Sequence, residues 1–182
     1  MQLHQDTLDF CERWRQKGAK YSMDEPPDCF DRFFTAFALY NCLYNEVNRR
    51  CHLRLQGDKN TAIAAAKGFL TSKVIVVDKI IHDCSIEIST LIQRNEFYVW
   101  NENSDSRSEP VKNLRSPNPD EQVDGLLKII YGIRCNMFHG EKEFVARQCK
   151  ILTPCIRVIE KLNDLIIEKM KADGLSWATC QQ

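Results

Sequence analysis

The residues best suited to chemistry lie in one short run, residues 130–142, reading IYGIRCNMFHGEK. Arg134, Asn136 and His139 crowd the last two turns of an otherwise apolar helical pattern. A permanent charge is costly to bury without a partner, so such a group reaches solvent or is arranged around something it binds. Arg134 offers a planar fork of donors suited to a phosphate. His139 stands where a helix is expected to end, and the negative end of the helix dipole favours its imidazolium form. A histidine tuned in this way exchanges protons near neutral pH. Asn136 can orient either group or a ribose hydroxyl. Together the three suit metal-free cleavage of RNA. A base takes the 2′-hydroxyl proton, the oxygen attacks the adjacent phosphorus, and a cation holds the developing charge. The plainer reading is an arginine and a histidine that cap and pair at a helix C-terminus.

Helical geometry constrains how the three act. At about 100° per residue, Asn136 and His139 lie roughly 60° apart and share a face. Arg134 and His139 lie about 140° apart on an ideal helix and do not. Either the helix unwinds at Gly140 and swings His139 round, or the site combines residues from two chains. Leu127, Tyr131, Arg134 and Phe138 share a stripe that suits a subunit contact lined by an arginine.

The elements that must position these groups are helical. Residues 121–139 carry Val123, Leu126, Leu127, Ile130, Ile133 and Met137, with Gly140 where a left-handed cap is expected. Residues 144–173 form a second long apolar-faced helix, ended by Gly174. Residues 29–50, CFDRFFTAFALYNCLYNEVNRR, repeat Phe and Leu at 3–4 spacing, with Asp28 as the expected N-cap after Pro26 and Pro27. Asn41 and Tyr44 on this helix are candidates to face the site or to serve as hydrogen-bonded core. Arg49, Arg50 and Arg54 form a basic group that would guide RNA or simply be a solvated helix end. Shorter helices are expected over 7–17, 59–70, 74–83 and 85–96. Residues 101–120 are polar, charged and proline-containing, and read as a long surface loop. The expected architecture is an all-α helical bundle with one long surface loop. Residues 1–27 form a polar lead-in, 28–174 the helical domain and 175–182 a loose tail.

Composition bounds the function classes. The chain has 182 residues, 25 basic and 25 acidic, so its formal net charge is zero. A protein that coats nucleic acid through counterion release shows a basic excess, which is absent here, although a local cationic pocket remains compatible. With 43% hydrophobic residues and a mean hydropathy of −0.40 the chain should fold. Nine cysteines, an odd number without a Cys-x-x-Cys pair, read as reduced thiols of a cytoplasmic protein, not as a zinc site. No cofactor is implied. The opening MQLHQDTLDFCERWRQK lacks a basic start followed by a continuous apolar stretch, so neither a signal peptide nor a membrane span is expected.

The run IYGIRCNMFHGEK resembles the signature of the HEPN superfamily, an Arg followed four to six residues later by His near the end of a late helix. Here the intervening four are Cys135, Asn136, Met137 and Phe138. The upstream FFTAFALYNCLYN is similar to the first aromatic helix of that family, so the two matches bracket residues 30–142. The resemblance implies a bundle of four to five helices, with additional short helices, that dimerises and brings two Arg–His motifs together in a cleft. Many members are metal-independent ribonucleases acting as toxins or in defence against phage. Carried over, Arg134 and His139 are catalytic, and Asn136 is the motif's polar residue, displaced by one position because Cys135 takes the place after the arginine. Lys142, Tyr131, Asn41 and Tyr44 are the candidate substrate contacts. The implied partners are RNA, a second copy of the chain, and an antitoxin or another defence-system component. Members that pair with a nucleotidyltransferase antitoxin carry a tyrosine two residues after the histidine; Glu141 stands there instead. The alternative is a non-catalytic module of the same fold that binds a nucleotide or a partner protein.

Overall fold

A computed structural model describes residues 5–71, 74–94, 105–138 and 146–172, and every element among them is helical. The fold is all-α. Its frame is α2 (Pro26–Arg50), α8 (Pro119–Phe138) and α9 (Ala146–Ala172), preceded on one side by α1 (Gln5–Gly18). Between α2 and α8 run α3 (Asp58–Asn60), a π-helical turn at Thr61–Ala65, α4 (Ala66–Thr71), α5 (Val74–Asp83), α6 (Ser85–Arg94) and α7 (Asp105–Leu114). None of the described helices is long and apolar enough to cross a membrane.

The core grows from the aromatic ridge of α2. Phe33, Phe37, Tyr40 and Tyr44 follow one another at 3–4 spacing, and each ring meets the next with centroids 6.2, 5.7 and 5.2 Å apart. All four are buried in one core with Ile156, Ile159, Leu162 and Ile166 of α9 and Leu126, Leu127, Ile130 and Ile133 of α8, and Phe37 meets Tyr131, also on α8. Each long helix is apolar on one broad face and must cover it: α9 packs along α2, while α8 is seated mainly on α7, α5 and the π-helical turn, and the result is a bundle. Buried Asn163 of α9 donates from Nδ2 to the Ala36 carbonyl of α2 at 3.0 Å, and Arg32 holds Glu160 through Nε at 2.9 Å. The lead-in belongs to the same body: α1 buries Cys11 and packs Leu8 and Trp14 on the core.

Two expectations change. Residues 101–120 are not a bare loop, because Asp105–Leu114 forms α7, with Pro110 inside it and Leu114 buried against α8. The contact depends on Gly125, whose missing side chain lets the two backbones close up. Asp28 is not the N-cap of α2. Glu25 is, in extended conformation and without a side-chain bond, while Pro26 and Pro27 take the first positions, where a missing N–H costs nothing. Asp28 instead accepts from the Ser22 backbone N–H at 3.0 Å. The buried cysteines act as core. Burial pushes the Cys29 thiol up to about 12 and those of Cys11 and Cys84 to about 11.

Candidate functional site

Arg134 leaves α8 one turn after Tyr131, and its guanidinium lies between two aromatic rings, 5.7 Å from the Phe37 centroid and 5.6 Å from that of Tyr131. Its side chain is a quarter exposed, and Nη2 stands 3.6 Å from Asp58 Oδ2. The same carboxylate oxygen accepts from the Tyr131 hydroxyl at 2.8 Å. Asp58 Oδ1 accepts from the Tyr44 hydroxyl at 2.5 Å, and the Asn41 amide bonds that hydroxyl in turn. Three of the residues singled out from the sequence, Tyr44, Tyr131 and Arg134, therefore meet at one point, and Asn41 joins them through Tyr44. The point is Asp58.

Asp58 was not among the candidates, and no local signal marked it beyond Gly57-Asp58 at the end of a connection. Its position is set by backbone geometry. His52 and Arg54 are non-glycine residues in the left-handed region, at φ 51° and 54°, and Gly57 follows at φ 79°. Such conformations persist only where the surroundings over-determine them. Asn48 supplies part of that constraint, taking the Leu55 N–H on Oδ1 at 3.1 Å and giving Nδ2 to the Leu55 carbonyl at 3.2 Å. The clamped connection delivers Asp58 to the start of α3. The π-helical turn that follows is anchored by the Tyr40 hydroxyl, which donates to the Ala62 carbonyl at 2.6 Å.

The electrostatics keep both phenols protonated. Burial first, and then the hydrogen-bonded Asp58 carboxylate, push the Tyr44 and Tyr131 hydroxyls above the ordinary phenol range. They act as donors to the carboxylate, and the carboxylate orients the guanidinium. Asp58→Asn removes the negative charge and puts an amide N–H against donors. The phenols of Tyr44 and Tyr131 are then expected to ionise at lower pH, and stability to fall by about 1–3 kcal/mol. An ultraviolet phenolate titration of variant and wild type checks the direction. Unchanged titration curves would mean that Asp58 does not govern these hydroxyls.

Beside this cluster lies a cavity of about 730 Å³ lined by Asp58, Tyr131 and Ile63 and by three lysines, Lys59, Lys67 and Lys128. Lys128 pairs with Asp124 at 2.9 Å and Glu109 at 2.8 Å, and Lys67 reaches Asp124 at 3.5 Å. Asp124 lines the cavity too, so the three lysines share it with two carboxylates, and it adjoins the Arg134 cluster through Asp58 and Tyr131.

The remaining candidates divide. Asn136 is buried in α8. His139 and Lys142 lie outside the described residues, as does the side chain of Phe138. Of the stripe expected to form a subunit contact, Leu127 and Tyr131 are buried within the chain, Tyr131 against Phe37 and Asp58. Arg49 and Arg50 are engaged by Glu46. Arg50 is buried rather than at a solvated helix end, and Arg49 pairs at 2.8 Å. Among the described residues no three His, Cys, Asp or Glu side chains group as a metal site. No protein-family model matches the chain, and neither a curated protein nor a solved structure matches it.

Proposed function

We propose that this chain is a metal-independent endoribonuclease of the HEPN type, working as a homodimer in a toxin or anti-phage setting. The observation that carries the reading is the Arg134 guanidinium, oriented by Asp58 between two aromatic rings beside a lysine-lined cavity. In the proposed reaction Arg134 holds the scissile phosphate and its developing negative charge. His139 takes the 2′-hydroxyl proton and returns a proton to the leaving 5′-oxygen. The bond from the 2′-oxygen to phosphorus forms as the bond to the 5′-oxygen breaks, leaving a 2′,3′-cyclic phosphate and a free 5′-hydroxyl. Asn136 orients either group or a ribose hydroxyl, and Lys142, with the lysines of the cavity, steadies the flanking backbone. His139 joins Arg134 either by unwinding of the chain at Gly140 or across a twofold axis, and the homodimer reading takes the second, since an ideal helix would hold the two about 140° apart.

Incubation of the purified protein with mixed RNA in excess chelator tests this. Fragments ending in 2′,3′-cyclic phosphate are expected to accumulate at an undiminished rate. Loss of cleavage on chelation would replace the reading with a metal-dependent nuclease. Intact RNA under all conditions would favour the second reading, a non-catalytic helical module binding a nucleotide or a partner. That reading draws support from the Asp58 carboxylate, which gives Arg134 an ion-pair partner within its own chain.

A further inference from the structure

A second cavity, of about 340 Å³, lies between α1, α2 and α9, lined in part by Trp14, Arg15, Arg32, Leu39, Glu160 and Asp164. Asn163 also lines it and is 1% exposed. Its amide nitrogen is committed to the Ala36 carbonyl, which can only accept, so the orientation of the amide is settled. Oδ1 is then a buried acceptor that meets no donor among the described residues. That atom is closed off from the open space of the cavity, so the polar groups a ligand reaches are the charged ones around it.

The charges around it have a definite pattern. Two arginines face two carboxylates, so the lining is neutral but strongly divided. Arg32 is fixed, with Nε and Nη2 on Glu160 at 2.9 and 3.2 Å and Nη1 on the Tyr21 carbonyl at 3.1 Å. Arg15 and Asp164 form the other pair, with side chains 37% and 49% exposed. An ion pair so open to water contributes little and can be divided between two new partners. Trp14, Ala36 and Leu39 add apolar surface, beside Gly18, Ala19 and Thr35.

We infer that this cavity binds a free α-amino acid with an apolar side chain, at a site separate from the Arg134 cluster. The α-carboxylate takes Arg15 and the α-ammonium takes Asp164. The side chain lies on Trp14 and Leu39. A ligand with separated charges and no net charge matches a lining of the same kind, whereas a simple anion or cation would leave one of the two paired groups unmatched. The volume lies at the small-molecule end of the usual pocket range of about 300–1,000 Å³. The inference stands on residues that the proposed cleavage does not use.

The test is calorimetric titration of the intact protein with each of the twenty protein amino acids at millimolar concentration, together with a thermal-shift screen. At least one apolar amino acid is expected to bind, one per chain, and to raise the melting temperature. Its α-amide and its N-acetyl derivative, each lacking one charge, are expected to bind about 10- to 100-fold more weakly, as the loss of a charged hydrogen bond implies. Ala19→Trp, a substitution at an exposed residue of the cavity lining, is expected to abolish binding without touching the core. Silence from all twenty amino acids would overturn the inference. Equal binding of the derivatives would overturn it too, as would binding that survives Ala19→Trp.

Discussion

Arg134→Ala is expected to slow RNA cleavage by about 10²–10³-fold, the usual cost of deleting one group that stabilises charge developing in a transition state. The guanidinium is already held, by Asp58 from one side and by the Phe37 and Tyr131 rings, so little rearrangement is needed when a phosphate arrives. Arg134→Lys is expected to fall nearly as far, because an ammonium cannot reproduce a planar fork locked between rings. His139→Ala is expected to lose about 10²–10⁴-fold, as removal of a proton-transfer group does. An arginine that serves only as an ion-pair partner would behave differently. Its loss would then be felt through Asp58, and the double variant Arg134→Ala/Asp58→Asn would regain what the single variant lost. Cleavage by Arg134→Ala near the wild-type rate, with native circular dichroism, would end the proposed role. Recovery in the double variant would reassign it to structure.

The largest effect on stability is expected at Gly125. A Cβ built there would stand 2.5 Å from the Pro110 carbonyl oxygen, 2.9 Å from the Leu114 nitrogen and 3.0 Å from Asn113 Cβ. Two of the three are backbone atoms of α7, which cannot rotate aside as the end of a long side chain can. Gly125→Ala must push α7 off α8, and overpacking of this kind costs about 3 kcal/mol at its upper typical value. For a chain of this length that corresponds to a fall of roughly 6–12 °C in melting temperature. Gly68→Ala is the matched control, since a Cβ there meets nothing within 4 Å. Replacing a helical glycine at such an open position should stabilise by about 0.4–1 kcal/mol. Equal melting temperatures for Gly125→Ala and wild type would show that α7 does not seat on α8 as described.

Gly125 also explains why α7 is hard to see in the sequence. Its residues are polar and include Pro110, so neither apolar period nor propensity marks a helix, and the segment reads as a loop. The helix exists because a neighbouring glycine lets it dock, and the docking energy comes from another part of the chain. The aromatic helix of 26–50 and the helices of 119–138 and 146–172 are legible for the opposite reason: the 3–4 spacing of their buried residues is a local property, and any fold that covers those faces must bring them together. The same locality made Arg134, Asn136 and His139 stand out, as charged and polar groups in an apolar run.

What the amino-acid sequence determined by itself is thus the all-α class, the three long helices and the identity of an arginine that needs a partner. Only the tertiary structure decided what that partner is. Asp58 meets Tyr44 from 14 residues away and Tyr131 from 73 residues away, through a connection whose left-handed turns no periodicity foretells. It likewise decided that Arg50 is buried on Glu46, and that Leu127 and Tyr131 face the core of their own chain. Spacing along a helix reports which residues share a face. Which element that face meets depends on every other face that must also be buried, and that is a property of the packed whole.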